Sequence, residues 1–218
     1  MNKKTALSKI GTIIVCYLIV LILPDLILQL FKIKGATAIN VQVLLTAIGA
    51  AALIWLDRKG DKKLEIAPDK KLSIADKTLY GVGGMILLYA TEIVGSVLII
   101  LLFGQPNPSQ NTQQILEIVK IAPAFIIYGV VLAPIMEEVV FRKNIYGVGR
   151  KLINPLGAAL VSALLFGLAH NDNNFLIVYA GIGLALCWLY KRTNSIVVNI
   201  IAHGLFNGIT MALALLIR

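Results

Sequence analysis

Long apolar runs separated by short polar breaks dominate this chain. A bilayer core about 30 Å thick needs about 20 apolar residues in a helix. Runs of that kind occupy residues 10–31, 38–56, 79–103, 122–141, 152–170, 175–190 and 195–217. Asp25 is the only charge in the first run, and Glu92 the only one in the third. The run 175–190 is short, and Lys191 and Arg192 extend it by snorkelling. The pattern predicts an all-α, polytopic transmembrane helix bundle of about seven spans. The first span starts with Lys3, Lys4 and Lys9, but it is too long for a cleaved signal peptide and lacks a small-x-small cleavage site, so it is expected to be retained. Residues 113–121 alternate Glu117 and Lys120 with apolar positions, which suits a short helix lying at the interface as a collar or simple connector. Residues 57–77 form the longest polar stretch, a basic loop expected beside anionic headgroups.

Composition sharpens the picture. Of 218 residues, 58% are hydrophobic and 14% charged, against about 45–50% and about 25% in ordinary globular chains. The mean hydropathy is +0.86. Such a chain is not disordered or collagen-like, and its charge is too sparse for a nucleic-acid partner. The net charge of +9 instead reports orientation. With the N-terminus inside, sixteen of the twenty Lys and Arg residues fall in inside segments, leaving only Lys32, Lys34, Lys120 and Arg218 outside. This predicts an N-in, C-out integral protein of the plasma (cytoplasmic) membrane, with the lipid bilayer as its surroundings. Cys16 and Cys187 lie within apolar runs, so no disulfide framework or cysteine metal site is expected.

Ionisable groups at membrane depth are costly and mark function. In the C-terminal half they cluster at three places: Glu137-Glu138 with Arg142, Phe166 with His170, and His203 with Asn207. Both histidines of the chain belong to this set, and each place has an i,i+4 relation that puts its members on one helix face. Adjacent residues point about 100° apart on a helix, so Glu137 and Glu138 are expected to differ in role. Glu138, one turn from Arg142, reads as a charge-neutralising structural pair. Glu137 has no local counter-charge and is free for proton chemistry. The plainer alternative leaves both glutamates among headgroups. His170 alone, at a helix end, reads as an interfacial residue. His203 and Asn207 lie about two turns into an apolar span and are harder to dismiss. Glu92, isolated, is expected to make a structural hydrogen bond.

Depth decides whether these groups meet. If the fourth helix ended at Phe141, Glu137 and His170 would be about 20–25 Å apart along the membrane normal. A joint site therefore requires that helix to continue to roughly residues 147–150, and residues 139–146 contain no helix breaker.

Glu-Glu-x-x-x-Arg, then Phe-x-x-x-His, then His-x-x-x-Asn, each on an expected span, resembles the Abi family of CAAX proteases and bacteriocin-processing enzymes, which includes the type II CAAX prenyl proteases. The resemblance covers about residues 115–218, and divides the chain into N-terminal helices with their basic loop (1–114) and a CAAX-protease-like catalytic core (115–218). It implies an intramembrane endopeptidase acting on a membrane-associated peptide or protein substrate. Glu137 would activate water with His170 close by, His203 and Asn207 would stabilise the oxyanion, and Glu138, Arg142 and Phe166 would support them. The chemistry is coherent, because peptide hydrolysis needs an activated water and donors where the carbonyl oxygen becomes negative. No Ser or Cys stands beside a histidine in the expected site, which disfavours an acyl-enzyme. No metal cofactor is favoured, since the His-Glu-x-x-His helix of zinc proteases is absent. Zinc, if bound, would sit on Glu137, His170 and His203. Two alternatives share the sequence features: a bacteriocin self-immunity or regulatory membrane protein of the same fold, and a small transporter, although no internal repeat supports the latter.

Overall fold

The computed structural model describes residues 2–66 and 69–217, with the side chain of Ile217 left aside. Ala67, Pro68 and Arg218, part of the expected 57–77 loop and of the outside charge tally, lie outside the described residues. Among the described residues every regular element is helical: α1 (Lys3–Leu30), α2 (Gly35–Leu64), α3 (Ile74–Phe103), α4 (Gln110–Ile121), α5 (residues 125–151), α6 (Pro155–Ala169), α7 (Leu176–Thr193) and α8 (Ile196–Ile217). Local chemistry sets the boundaries. Asn2, Ser73, Ser109 and Asn154 each accept a backbone N–H at a helix start, as short polar N-caps do. Pro155 opens α6 at a position where no N–H is needed. Glu65 and Asn194 close α2 and α7 in the left-handed region.

Five of these helices are long and apolar enough to cross a membrane, namely α1, α2, α3, α7 with the turn before it, and α8. The chain is thus an all-α integral membrane protein. The other two expected spans take a different form. Residues 152–170 become the 15-residue α6. Residues 122–141 become the first part of α5, which continues to Lys151.

The exposed faces of α1 and α3 are apolar, with Ile19, Ile22, Leu101 and Phe103 among their outward side chains. That is the arrangement expected when the solvent is lipid. α5 is the inverse. Its second half, residues 138–149, is almost wholly buried and carries Glu138, Arg142 and Asn144, each fully inaccessible. That half packs against α1, α6, α7 and α8, so a helix with buried charges stands among four others.

α5 is also wound unusually. An α-helical turn at Ala133–Glu137 separates two π-helical stretches, Tyr128–Leu132 and Glu138–Val148. π-turns are rare, usually single, and concentrate at functional sites. Widened turns displace carbonyls from the regular ladder, and side chains bind three of them here. Asn207 donates to Gly129 O at 3.0 Å, Asn144 to Val139 O at 2.9 Å, and Ser162 to Phe141 O at 2.8 Å.

Small residues bring helices close, as membrane helix packing requires. A Cβ on Gly183 of α7 would lie 2.8 Å from the Ala163 Cα of α6. A Cβ on Gly204 of α8 would lie 2.7 Å from Val130 O of α5.

At one end of the bundle, α2 runs past its apolar stretch, so Asp57 is a buried helical residue and not part of a loop. Lys9 of α1 pairs with Asp57 at 2.8 Å and Asp61 at 2.5 Å. Lys143 of α5 bridges the same two carboxylates at 2.5 and 2.6 Å. Asn144 adds a hydrogen bond to Asp57 at 2.9 Å.

Candidate active site

Because α5 continues past Phe141, Glu137 and Glu138 lie well inside the bundle, where α6 and α8 can reach them. Glu138 stands at the start of the long π-helical stretch and is fully buried. Its Oε1 forms an ion pair with the Arg142 guanidinium, Nη1 lying at 3.0 Å, and accepts from His203 Nδ1 at 2.9 Å. Its Oε2 accepts from Asn199 Nδ2 at 3.1 Å. An ion pair and two hydrogen bonds on a buried carboxylate hold it as the anion.

His203 therefore has a defined orientation. Nδ1 faces a carboxylate and must carry the proton. Nε2 points to the second glutamate, with Glu137 Oε2 at 3.6 Å. That separation is beyond a direct hydrogen bond. The two adjacent glutamates thus grip one imidazole from its two nitrogens, one tightly and one loosely. Glu138 is consequently more than an internal partner for Arg142, because it also sets the tautomer of His203.

The end of α6 supplies the third member. His170 is the residue at which α6 stops, and its Nδ1 donates to Phe166 O, one turn back, at 2.8 Å. A carbonyl can only accept, so Nδ1 bears the hydrogen and Nε2 keeps its lone pair. The ring stacks on Tyr179 of α7 at 4.1 Å with 20° between planes. Tyr179 is held by the start of α4, where its hydroxyl lies 3.2 Å from Asn111 Nδ2 and 3.3 Å from Ser109 Oγ. Ser109 in turn donates to the buried Asp172 at 2.7 Å. Phe166 links the parts. Arg142 lies 4.0 Å over its ring, and His170 and His203 meet its edge at 4.6 and 5.8 Å.

Glu137, His170 and Asn207 line one cavity of about 260 Å³. Its remaining walls are mostly apolar, with Leu21, Leu116, Val178 and Phe206 among them, and Tyr17 and Tyr128 also reach it. The interfacial helix of the sequence pattern, α4, covers this cavity through Ile115 and Leu116. Leu116 and Val119 are buried against Phe125 and Met211.

The structure thus brings Glu137 and His203 within 3.6 Å, and sets His170 and Asn207 on the wall that Glu137 shares. Asn207 spends one amide hydrogen on Gly129 O, which leaves a second. Sequence reasoning overlooked Asn199, although it lies one turn before His203 on the same helix face. It also overlooked Tyr179, Ser109 and Asp172, which are ordinary polar residues in sequence and meet only in the fold. Glu92, expected to make a structural hydrogen bond, makes none among the described residues and instead lines the cavity. Among the described residues no three His, Cys, Asp or Glu side chains converge for a metal. His203 Nδ1 and His170 Nδ1 are both engaged by oxygen acceptors, which leaves Nε2 of each ring uncommitted.

An all-helical membrane bundle whose central polar helix presents paired glutamates to two histidines is the architecture of a membrane-embedded enzyme. Comparison with known proteins places it. The family described as type II CAAX prenyl endopeptidase Rce1-like matches residues 120–209, the stretch that holds every site residue named from the motifs. The membrane-embedded CAAX protease MroQ of Staphylococcus aureus is 32% identical over 188 residues, which is 82% of this chain and 74% of MroQ. YdiL of Bacillus subtilis is 35% identical over 147 residues, 67% of this chain and 60% of YdiL, so the match spans less than two thirds of that relative. No solved structure matches. The chain belongs to the Rce1-like CAAX protease family, membrane enzymes that hydrolyse peptide bonds.

Proposed function

We propose that this protein is an intramembrane endopeptidase that cleaves a membrane-associated peptide or protein with a water activated by Glu137. One observation carries the reading: Glu137 is the carboxylate left free to exchange a proton, at the wall of a cavity shared with His170 and Asn207, while Glu138 is locked by an ion pair and two hydrogen bonds. Glu137 takes a proton from the water as its oxygen attacks the scissile carbonyl, and later delivers that proton to the departing amine. The oxyanion is met by the free N–H of Asn207 and by Nε2–H of His203 when the ring is the imidazolium. Glu138 favours that cation by accepting from Nδ1. His170, neutral with its Nε2 lone pair available, orients the water. Arg142 and Phe166 keep Glu138 and the two rings in register. No step runs through a metal.

The test is cleavage of membrane-inserted peptides by purified protein in nanodiscs. Glu137→Gln keeps shape but removes the base, and should lower the rate by about 10²–10⁴-fold, the usual contribution of general acid–base catalysis. EDTA should leave the wild-type rate unchanged. Wild-type turnover by Glu137→Gln, or inhibition by EDTA reversed with zinc, would overturn the mechanism.

A further inference from the structure

Glu92 has no part in the mechanism above, yet it opens into the same cavity. It stands on α3, outside the stretch matched by the family. Asp57 and Asp61 are neutralised by Lys9 and Lys143, and Glu138 by Arg142. Glu92 is half-buried, and among the described residues no hydrogen bond or neighbouring charge acts on it. Among the described residues, no lysine or arginine lines the cavity. A carboxylate without a counter-ion at this depth is expensive, and a visiting cation removes the cost. The walls around it are largely apolar, which strengthens any charge pairing that water would otherwise screen. A guest carrying a carboxylate is repelled by the same arrangement.

We infer that Glu92 is a specificity-determining residue that binds a lysine or arginine side chain of the substrate close to the scissile bond. The inference rests on the cavity being the peptidase site. It identifies the substrate as a hydrophobic peptide segment bearing a basic residue at a fixed offset from the cleaved bond.

The probes are membrane-inserted model peptides with acetylated N-termini and a leucine–alanine segment, differing only in one residue, Lys, Gln or Glu, stepped through the segment. Binding is read by fluorescence with Glu137→Gln protein in nanodiscs, and cleavage by mass spectrometry with the wild type. At one position the lysine peptide should bind, and be cleaved, about tenfold better than the glutamine peptide, with the glutamate peptide worst. Glu92→Gln should bring the lysine-to-glutamine ratio to about one, Glu92→Lys should favour the glutamate peptide, and Glu92→Asp should keep the wild-type order. If the three peptides bind alike at every position, or if Glu92→Gln retains the wild-type ratio, Glu92 does not select a cation. A lysine preference in binding without cleavage of any peptide would sink the peptidase reading and leave the cation site standing. Cleavage indifferent to lysine would do the opposite.

Discussion

The two neighbouring glutamates differ because one is fully partnered and the other is not. Glu138→Gln keeps the size but leaves Arg142 as a buried, unpaired cation, and breaking a buried pair costs about 3–5 kcal/mol. The variant should melt earlier in detergent and yield less folded protein, whereas Glu137→Gln should melt near the wild type. Thermal unfolding of the two variants side by side decides this; the reverse order would exchange their roles. Asn207 has a divided task that the same measurements resolve. Asn207→Ala removes the donor proposed to meet the oxyanion and should reduce kcat by about 10²–10³ with little change in KM. Asn207→Asp places a carboxylate against Gly129 O, now 3.0 Å from the amide, and should lower folding stability as well as turnover. Equal stability of the Ala and Asp variants would show that the Gly129 contact contributes nothing to α5. The residues with a local partner were the legible ones, since an i,i+4 spacing is visible in sequence. Asn199 has that spacing to His203 too, but an asparagine in an apolar span reads as incidental until Glu138 is seen behind it. Tyr179, Ser109 and Asp172 carry no spacing signal at all, because three different segments bring them together.

At the scale of elements, the apolar runs located the helices because a span must be continuously apolar to dissolve in lipid. The pattern misjudged the ends. Residues 57–64 read as loop because they are charged, yet two of those charges, Asp57 and Asp61, accept hydrogen bonds from partners 52 to 87 residues distant in sequence. The winding of α5 was not legible either, since its two π-helical stretches stay in right-handed helical φ and ψ. What holds such a helix is contact from outside, and glycine seams set how close its neighbours stand. Gly183→Ala forces the new methyl group into the backbone of Ala163, whereas Gly83→Ala meets nothing within 4 Å. The first should therefore cost about 1–3 kcal/mol by overpacking. The second should raise stability slightly through helix propensity. Equal melting temperatures would mean that α6 and α7 are not held at the separation seen here.

For the whole molecule, the charge distribution predicts an orientation with Lys9, Asp57 and Lys143 toward the cytoplasm and the start of α4 outside. Single cysteines placed near residue 63 and near residue 107, in protein lacking Cys16 and Cys187, should react with an impermeant thiol reagent from the inside and the outside respectively. Labelling of the first position from the outside would invert the topology. The ionic knot at the cytoplasmic end also has a consequence for biogenesis. Lys9, Asp57 and Asp61 leave the ribosome with the first two helices, whereas Lys143 follows its carboxylate partners by 86 and 82 residues. Until then the nascent hairpin holds two acids against one base, a berth with a negative charge to spare. The helix that fills this berth is the helix that carries the glutamates. Docking of α5 and neutralisation of the N-terminal hairpin are therefore coupled, so a chain that stalls or mis-inserts before α5 keeps Asp57 and Asp61 with Lys9 alone between them.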